Sequence, residues 1–369
     1  GLSGPDTQVP IERVETSVYT VPTDLPESDG TYTWNSTTMV LVEASAGGVT
    51  GLGYSYADPA TARLVQTKLA DVVTGQDALS VQASWELMVE AIRNLGRPGI
   101  CSMAISAVDI ALWDLKARLL GLPLARLLGQ LREGVPVYGS GGFTSYTLEQ
   151  LADQLGGWVD AGIPRVKMKV GRDPDFDVIR VRTARDRIGP ETELFIDANG
   201  AYDPRTALFQ AERLTPFNVS WFEEPVSSDN LLGLRFMREH APARMDIAAG
   251  EYGYELGYFR RMLESGAVDV QQADATRCSG ITGFLQVATL CQAFMTPLSA
   301  HCGPTAHLAV CCAAPMLCHL EYFHDHVRIE RIFFDGVREP VNGVLFPDLS
   351  RPGLGVELKR NDAEKFRVG

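Results

Sequence analysis

Scarcity narrows this sequence before any motif does. Its 369 residues include only six histidines and seven cysteines, and 33 basic residues face 46 acidic ones, a formal charge of −13. That acid excess repels phosphate backbones and anionic membrane surfaces, so no nucleic-acid or membrane partner is expected. No apolar run approaches the roughly 18 residues that a membrane-spanning helix requires. The opening, Gly1 to Arg13, also lacks the basic-then-apolar order of a secretion signal. The expected location is cytoplasmic. Cys101, Cys278, Cys291, Cys302, Cys311, Cys312 and Cys318 show no C-x-x-C spacing, which points to buried reduced thiols rather than a disulfide framework or a zinc knuckle. No methionine opens the chain, which suggests processing or a cloning remnant, and Gly1 to Gln8 carry no structural expectation.

What is present divides into two textures. Ile11 to Val21 and Thr38 to Ala44 have the β-branched alternation of antiparallel strands, with Gly47, Gly48, Gly51 and Gly53 as punctuation. Helical patterns follow at Ala60 to Thr74, Ser80 to Leu95 and Ser102 to Leu120, the last ending at Gly121 before Pro123. From Val135 short apolar strands alternate with helix-length amphipathic stretches. The strands are Val135 to Ser140, Arg165 to Val170, Glu193 to Asp197, Val219 to Glu223, Asp246 to Gly250, Val268 to Ala273, Met295 to Ala300 and Cys318 to Tyr322. Eight such repeats predict a parallel α/β barrel of the TIM type. The tail from Arg338 is rich in Gly and Pro, with edge strands expected at Gly343 to Phe346 and Gly355 to Leu358, and is expected to fold back onto the first domain.

The ionisable residues fall in a register. Asp197, Glu223, Glu251, Asp274, His301 and Glu321 stand at or just past successive strand ends, at intervals of 26, 28, 23, 27 and 20. In a βα barrel that end is where active sites are built. Any one acid there could be a helix cap; six in register are better explained by one shared mouth. In Val166-Lys167-Met168-Lys169-Val170 the period of two puts both lysines on one face. If the apolar face meets the helices, both ammonium groups enter the barrel and require carboxylates. Asp197, Glu223 and Glu251 are hard oxygen donors suited to Mg²⁺. If they merely neutralised the two lysines, the charge would remain unbalanced.

With these residues in place the sequence resembles the enolase superfamily and, within it, the mandelate racemase subgroup. The resemblance runs through Ala-Leu-Trp-Asp at Ala111 to Asp114, Leu127-Leu128-Gly129, Lys167 and Lys169, Asp197-Ala198-Asn199, Trp221-Phe222-Glu223-Glu224-Pro225, Gly250-Glu251, Asp274 followed by Gly280, His301 and Glu321. It covers almost the whole chain. It implies an α+β capping domain, residues 1–134 completed by 338–369, over a modified TIM barrel, (β/α)7β, at 135–337. It also implies a homo-oligomer, from dimer to octamer, and a small-molecule carboxylate as substrate. Such enzymes abstract the proton α to a carboxylate and stabilise the resulting enediolate with one Mg²⁺ per site.

The resemblance assigns roles residue by residue. Lys169 would be a base, its neutral form favoured by Lys167 and the metal ion, and Lys167 would also pair with the substrate carboxylate. Asp274 and His301 would form an acid/base unit on the opposite face, the carboxylate fixing the imidazole tautomer. Glu321, held protonated, would donate a hydrogen bond to the substrate. Asn199 would contact a substrate hydroxyl or the metal shell. Glu224, Arg277 and the remaining histidines read as structural. The serine some relatives place after the first barrel strand would align near Gly142, leaving that contact in doubt. Related subgroups carry a lysine where Asp274 stands, which argues against cycloisomerase and dipeptide chemistry.

A base on each face permits two outcomes, racemisation of a 2-hydroxy acid or loss of a β-hydroxyl as water. The cap segments Thr20 to Trp34 and Gly53 to Ala60 are expected to discriminate, with Tyr32, Trp34 and Tyr54 as substrate contacts. Their hydroxyl-rich composition favours a polyol acid, so the expected activity is an acid-sugar dehydratase acting on an aldonate or aldarate. The alternatives are a racemase or epimerase, and a non-catalytic metal and acid-sugar binding protein.

Overall fold

β-branched residues dominate the opening of the chain and fold as three antiparallel strands, β1 (Arg13–Ser28), β2 (Thr33–Ala46) and β3 (Val49–Ser55). The computed structural model describes residues 8–369, so Gly1 to Thr7 lie outside the described residues. Sequence patterning reads turns at Gly51 and Gly53, but both lie inside β3. The backbone of helix Ile100–Leu119 packs directly on them, and a Cβ at either position would overlap main-chain atoms of Leu115 or Ala107. β1 and β2 also run further than expected, through most of what reads as a cap loop, leaving only Asp29 to Tyr32 as the tip. Their register shifts between Pro22 and Glu27, where the two prolines Pro22 and Pro26 withhold ladder donors. Two further helical expectations hold with shifted ends: Pro59–Leu64 continues through a π-helical turn into Ala70–Val73, and Val81–Ala91 follows.

The barrel strands are β4 (Val135–Ser140), β5 (Arg165–Lys169), β6 (Glu193–Asp197), β7 (Val219–Glu223), β8 (Asp246–Ala249), β9 (Val270–Ala273), β10 (Leu298–Ala300) and β11 (Leu317–Phe323). Each pairs in parallel with the next and β11 pairs with β4, closing the ring. A helix lies between every two consecutive strands, and one more, His324–Phe333, follows β11. Val166 and Met168 face the outer helices while Lys167 and Lys169 are buried inside the ring, as the alternation requires.

Inside the ring, Tyr138, Phe195, Trp221, Ala248 and Val270 pack as a floor, with Phe195 stacked on Trp221 at 4.9 Å. Two positions further along the same strands stand Ser140, Asp197 and Glu223, and His319 at floor level is likewise followed by Glu321. The period of two thus converts an apolar floor into a polar layer above it.

The tail forms β12 (Phe334–Asp335), β13 (Val344–Leu345) and β14 (Glu357–Leu358). β13 pairs antiparallel with β4, and Val18 and Thr20 of β1 bond the backbone of Gly369 and Phe366. The tail therefore touches barrel and cap alike, more than the sequence reading expected. All seven cysteines are free and six are buried.

Candidate active site

The polar layer is built around three carboxylates. Oxygens of Asp197, Glu223 and Glu251 lie within 4.8 Å of one another, and all three residues are buried. The chain turns abruptly beside each: Asn199 and Glu224 adopt left-handed φ angles of 47° and 40°, and Gly250 sits at 145°. At Gly250 a Cβ would collide with the Gln272 carbonyl, so only glycine lets the chain deliver Glu251 here. Strained non-glycine backbone of this kind gathers at functional sites.

Each carboxylate has a nearest nitrogen partner among the basic side chains. Lys169 Nζ is 2.8 Å from Asp197 Oδ2, Lys167 Nζ is 2.6 Å from Glu223 Oε1, and His301 Nε2 is 3.3 Å from Glu251 Oε2. Glu223 Oε1 also accepts from Trp221 and Gln272, and Asp197 Oδ1 accepts from the Asn199 amide. Glu223 Oε2 and Glu251 Oε1 are buried without a partner. Two orphaned acceptor oxygens in an all-oxygen trio fit a hard divalent cation.

Burial opposes a charge on Lys169, and Asp197 outweighs it, so the ammonium is held above the usual lysine range; Lys167 pushes the other way. Lys167 alone does not offset the facing carboxylates; the neutral amine expected of a base also counts on the cation that the trio would hold. Burial also opposes charge on His301, but the Cys302 sulfur, Glu251 and the Asp274 hydrogen bond overcome it, raising its pKa well above normal. Asp274 Oδ2 accepts a hydrogen bond from His301 Nδ1–H at 2.8 Å, while its Oδ1 accepts from the Thr276 amide and hydroxyl. The imidazole is thereby fixed with Nε2 toward the carboxylates.

Glu321 meets Lys167 Nζ at 2.9 Å and accepts from Ser140 Oγ at 2.5 Å, surroundings that favour its ionised form over the protonated one the sequence reading expects. Burial raises its pKa, yet Lys167, His301 and Lys169 pull it well below normal. Ser140 also answers the search for a serine near Gly142: it lies two residues earlier, on the inward face with Tyr138. Arg277, read as structural, reaches both Glu251 (3.6 Å) and Asp274 (3.8 Å) and covers the Tyr252 ring. Glu224 is buried beside Glu251. Neither residue left a periodic signal, since both lie beyond strand ends.

Asn199 and Glu224 open onto a cavity of about 470 Å³ that Ser228, Tyr252, Tyr254 and Arg261 also line. The cap tip rests beside it through Thr31 Oγ1, 3.4 Å from the Asn199 carbonyl. At the tip Tyr32 is exposed and stacks on Trp34, whose indole donates to Glu27. Tyr54 is not at the mouth. It is fully buried against Tyr56 and Phe334, because its position in β3 turns it into the cap–barrel seam. His307 and His326 are pinned by backbone groups, His319 by Ser299, all with lowered pKa values; the structural reading fits them. No helix among the described residues is long and apolar enough to cross a membrane.

Comparison with known proteins agrees with this architecture. Residues 150–363 match the family described as enolase C-terminal domain-like, and residues 13–129 match the mandelate racemase/muconate lactonizing enzyme N-terminal domain. The chain is 33% identical to 3,6-anhydro-alpha-L-galactonate cycloisomerase from Streptomyces coelicolor, over 97% of this chain and all of that protein. A mandelate racemase/muconate lactonizing enzyme-like protein from Rubrobacter xylanophilus superposes with a TM-score of 0.96 at 57% identity, covering 97% of this chain and 100% of that one. L-Talarate/galactarate dehydratase from Salmonella typhimurium, crystallised with Mg and L-lyxarohydroxamate, superposes with a TM-score of 0.90 at 28% identity, covering 100% of this chain and 95% of that one. With both family domains matched in order and an acid-rich barrel mouth between them, this chain belongs to the mandelate racemase/muconate lactonizing enzyme family of the enolase superfamily and is an enzyme of that chemistry.

Proposed function

We propose that the protein dehydrates an acid sugar, an aldonate or aldarate, to a 2-keto-3-deoxy acid with Mg²⁺ at the carboxylate trio. Lys169 against Asp197 and His301 against Glu251 flank the trio at its two ends, an arrangement that serves racemisation and dehydration alike. The observation that carries dehydration is the polar lining of the adjoining cavity, where Asn199, Glu224, Ser228 and Arg261 offer partners to a hydroxylated arm. In this reading Asp197, Glu223 and Glu251 hold the cation. A bound Mg²⁺ supplies positive charge to offset the second negative charge that develops on the substrate carboxylate when its Cα proton leaves.

The chain's own groups do the rest. Lys169 takes the Cα proton as the neutral amine, a form that Lys167, two residues along the same face, and a cation on the trio would both favour over the ammonium that Asp197 holds. His301, held as imidazolium, gives its Nε2 proton to the β-hydroxyl, which departs as water; the enol left behind becomes the 2-keto product. Lys167, paired with Glu321, to which Ser140 in turn donates, faces the substrate carboxylate. Asn199 and the cavity beyond it receive the hydroxylated arm, because amide, carboxyl, hydroxyl and guanidinium groups line that cavity. The cap is taken as 1–134 with 338–369 and the barrel as 135–337, in a cytoplasmic homo-oligomer.

Asp274 does not by itself exclude cycloisomerisation, since a relative at 33% identity carries that activity in its name. A screen of aldonates and aldarates with Mg²⁺, scored for 2-keto acid, tests the proposal. Product from at least one acid sugar, abolished by chelation of Mg²⁺, is expected. No product across the library, with Cα exchange into mandelate-like acids instead, would favour racemisation and reject dehydration.

A further inference from the structure

A second cluster of ionisable side chains joins cap to barrel. Asp24 and Glu27 come from the irregular stretch of β1, and His324 and Asp325 begin the helix that follows β11. Ligand atoms of Asp24, Glu27 and His324 lie within 4.8 Å of one another, with His324 Nε2 at 2.7 Å from Asp24 Oδ2. Glu27 is fully buried; its Oε1 accepts from Trp34 Nε1 at 3.0 Å and its Oε2 has no partner. The Asp325 carboxyl lies against it, 1% exposed. Asp325 Oδ2 accepts from Thr37 Oγ1 at 3.1 Å, whereas Oδ1 has no hydrogen bond and stands 3.8 Å from the Arg328 guanidinium.

Unpaired buried acceptors on adjoining carboxyls are costly, and only a proton or a cation between them removes the cost. One imidazole nitrogen beside carboxylate oxygens is a donor set for a borderline transition ion, unlike the all-oxygen trio in the barrel. None of these four residues has a part in the proposed proton transfers. We propose that Asp24, Glu27 and His324, with the Asp325 carboxyl beside Glu27, bind a divalent transition-metal ion of the Zn²⁺ class that clasps β1 of the cap to the end of the barrel.

Zn²⁺ titration of the full chain in saturating Mg²⁺, by calorimetry with metal analysis after desalting, tests this. Asp24→Asn and His324→Gln alter partly exposed ligands without disturbing the core, and Asp197→Asn weakens the barrel trio independently. The expected result is one more Zn²⁺ per chain in the unaltered protein than in either seam variant, retained in Asp197→Asn. Zn²⁺ should also raise Tm in the unaltered protein and not in His324→Gln. An unchanged Zn²⁺ stoichiometry in either seam variant overturns the proposal and leaves a shared proton as the occupant. That failure would not touch the barrel reading, which Asp197→Asn reports separately.

Discussion

Ser140 shows what single residues contribute to this site. Its hydroxyl donates to Glu321, and Glu321 in turn holds Lys167. Replacing it with alanine removes one hydrogen bond to a buried charge, worth about 1.5–3 kcal/mol. Ser140→Ala should lower kcat/KM on the acid-sugar substrate roughly 10- to 100-fold, since about 1.4 kcal/mol is a factor of ten. Steady-state kinetics within twofold of the unaltered protein would contradict that role. Ser140 was legible in principle: counting by two from inward Tyr138 reaches it directly, whereas family alignment alone pointed to Gly142. Arg277 was not legible, because its partners Glu251 and Asp274 come together only through the closed ring.

At the scale of elements, the barrel strands could be read because each is a short apolar run ending in a functional group. β4, β6 and β7 match the predicted bounds residue for residue. β3 could not be read, because its glycines serve tertiary contact rather than turn formation. Gly53→Ala would drive a methyl into the main chain of Ala107 and Ala111. It should destabilise the protein by about 1–3 kcal/mol in chemical denaturation. Gly157→Ala, in helix Leu148–Asp160 with open space around it, should instead stabilise by about 0.5–1 kcal/mol. Equal effects from the two substitutions would mean that the close approach at β3 has no energetic consequence. The cap segments were misjudged for a related reason: polar, hydroxyl-rich sequence reads as loop, yet here it pairs into long strands.

At the scale of the whole molecule, buried polar contacts join cap to barrel beside the apolar core the two share. Tyr56 of the cap donates to Glu330 Oε2 at 2.7 Å, and Glu330 Oε1 accepts the Thr305 amide at 2.8 Å. Burial pushes the Glu330 carboxyl from an ordinary 4.5 up to about 7, despite hydrogen bonds that favour its charge. Between those two values the unfolded chain ionises while the folded chain keeps its proton. This group's contribution is therefore fully favourable below about 4.5 and is lost as pH rises through about 7. Glu330→Gln, which preserves shape, should flatten that part of the Tm against pH profile. A mutant profile parallel to that of the unaltered protein would assign the slope to other groups.

In the proposed function an acidic molecule takes an anionic substrate. Lys167, Lys169 and Arg277 face the carboxylate trio one for one, so the attraction at the mouth, against a net −13, would come from a divalent cation bound there. The central claim, that Lys169 and His301 serve separate proton transfers on either side of one bound carboxylate, is tested most directly in D₂O. The measurement follows Cα deuterium exchange and 2-keto product together, with an acid-sugar substrate and Mg²⁺. His301→Asn should lose product while retaining exchange, and Lys169→Met should lose both. Undiminished product from His301→Asn, or exchange persisting in Lys169→Met, would contradict the account.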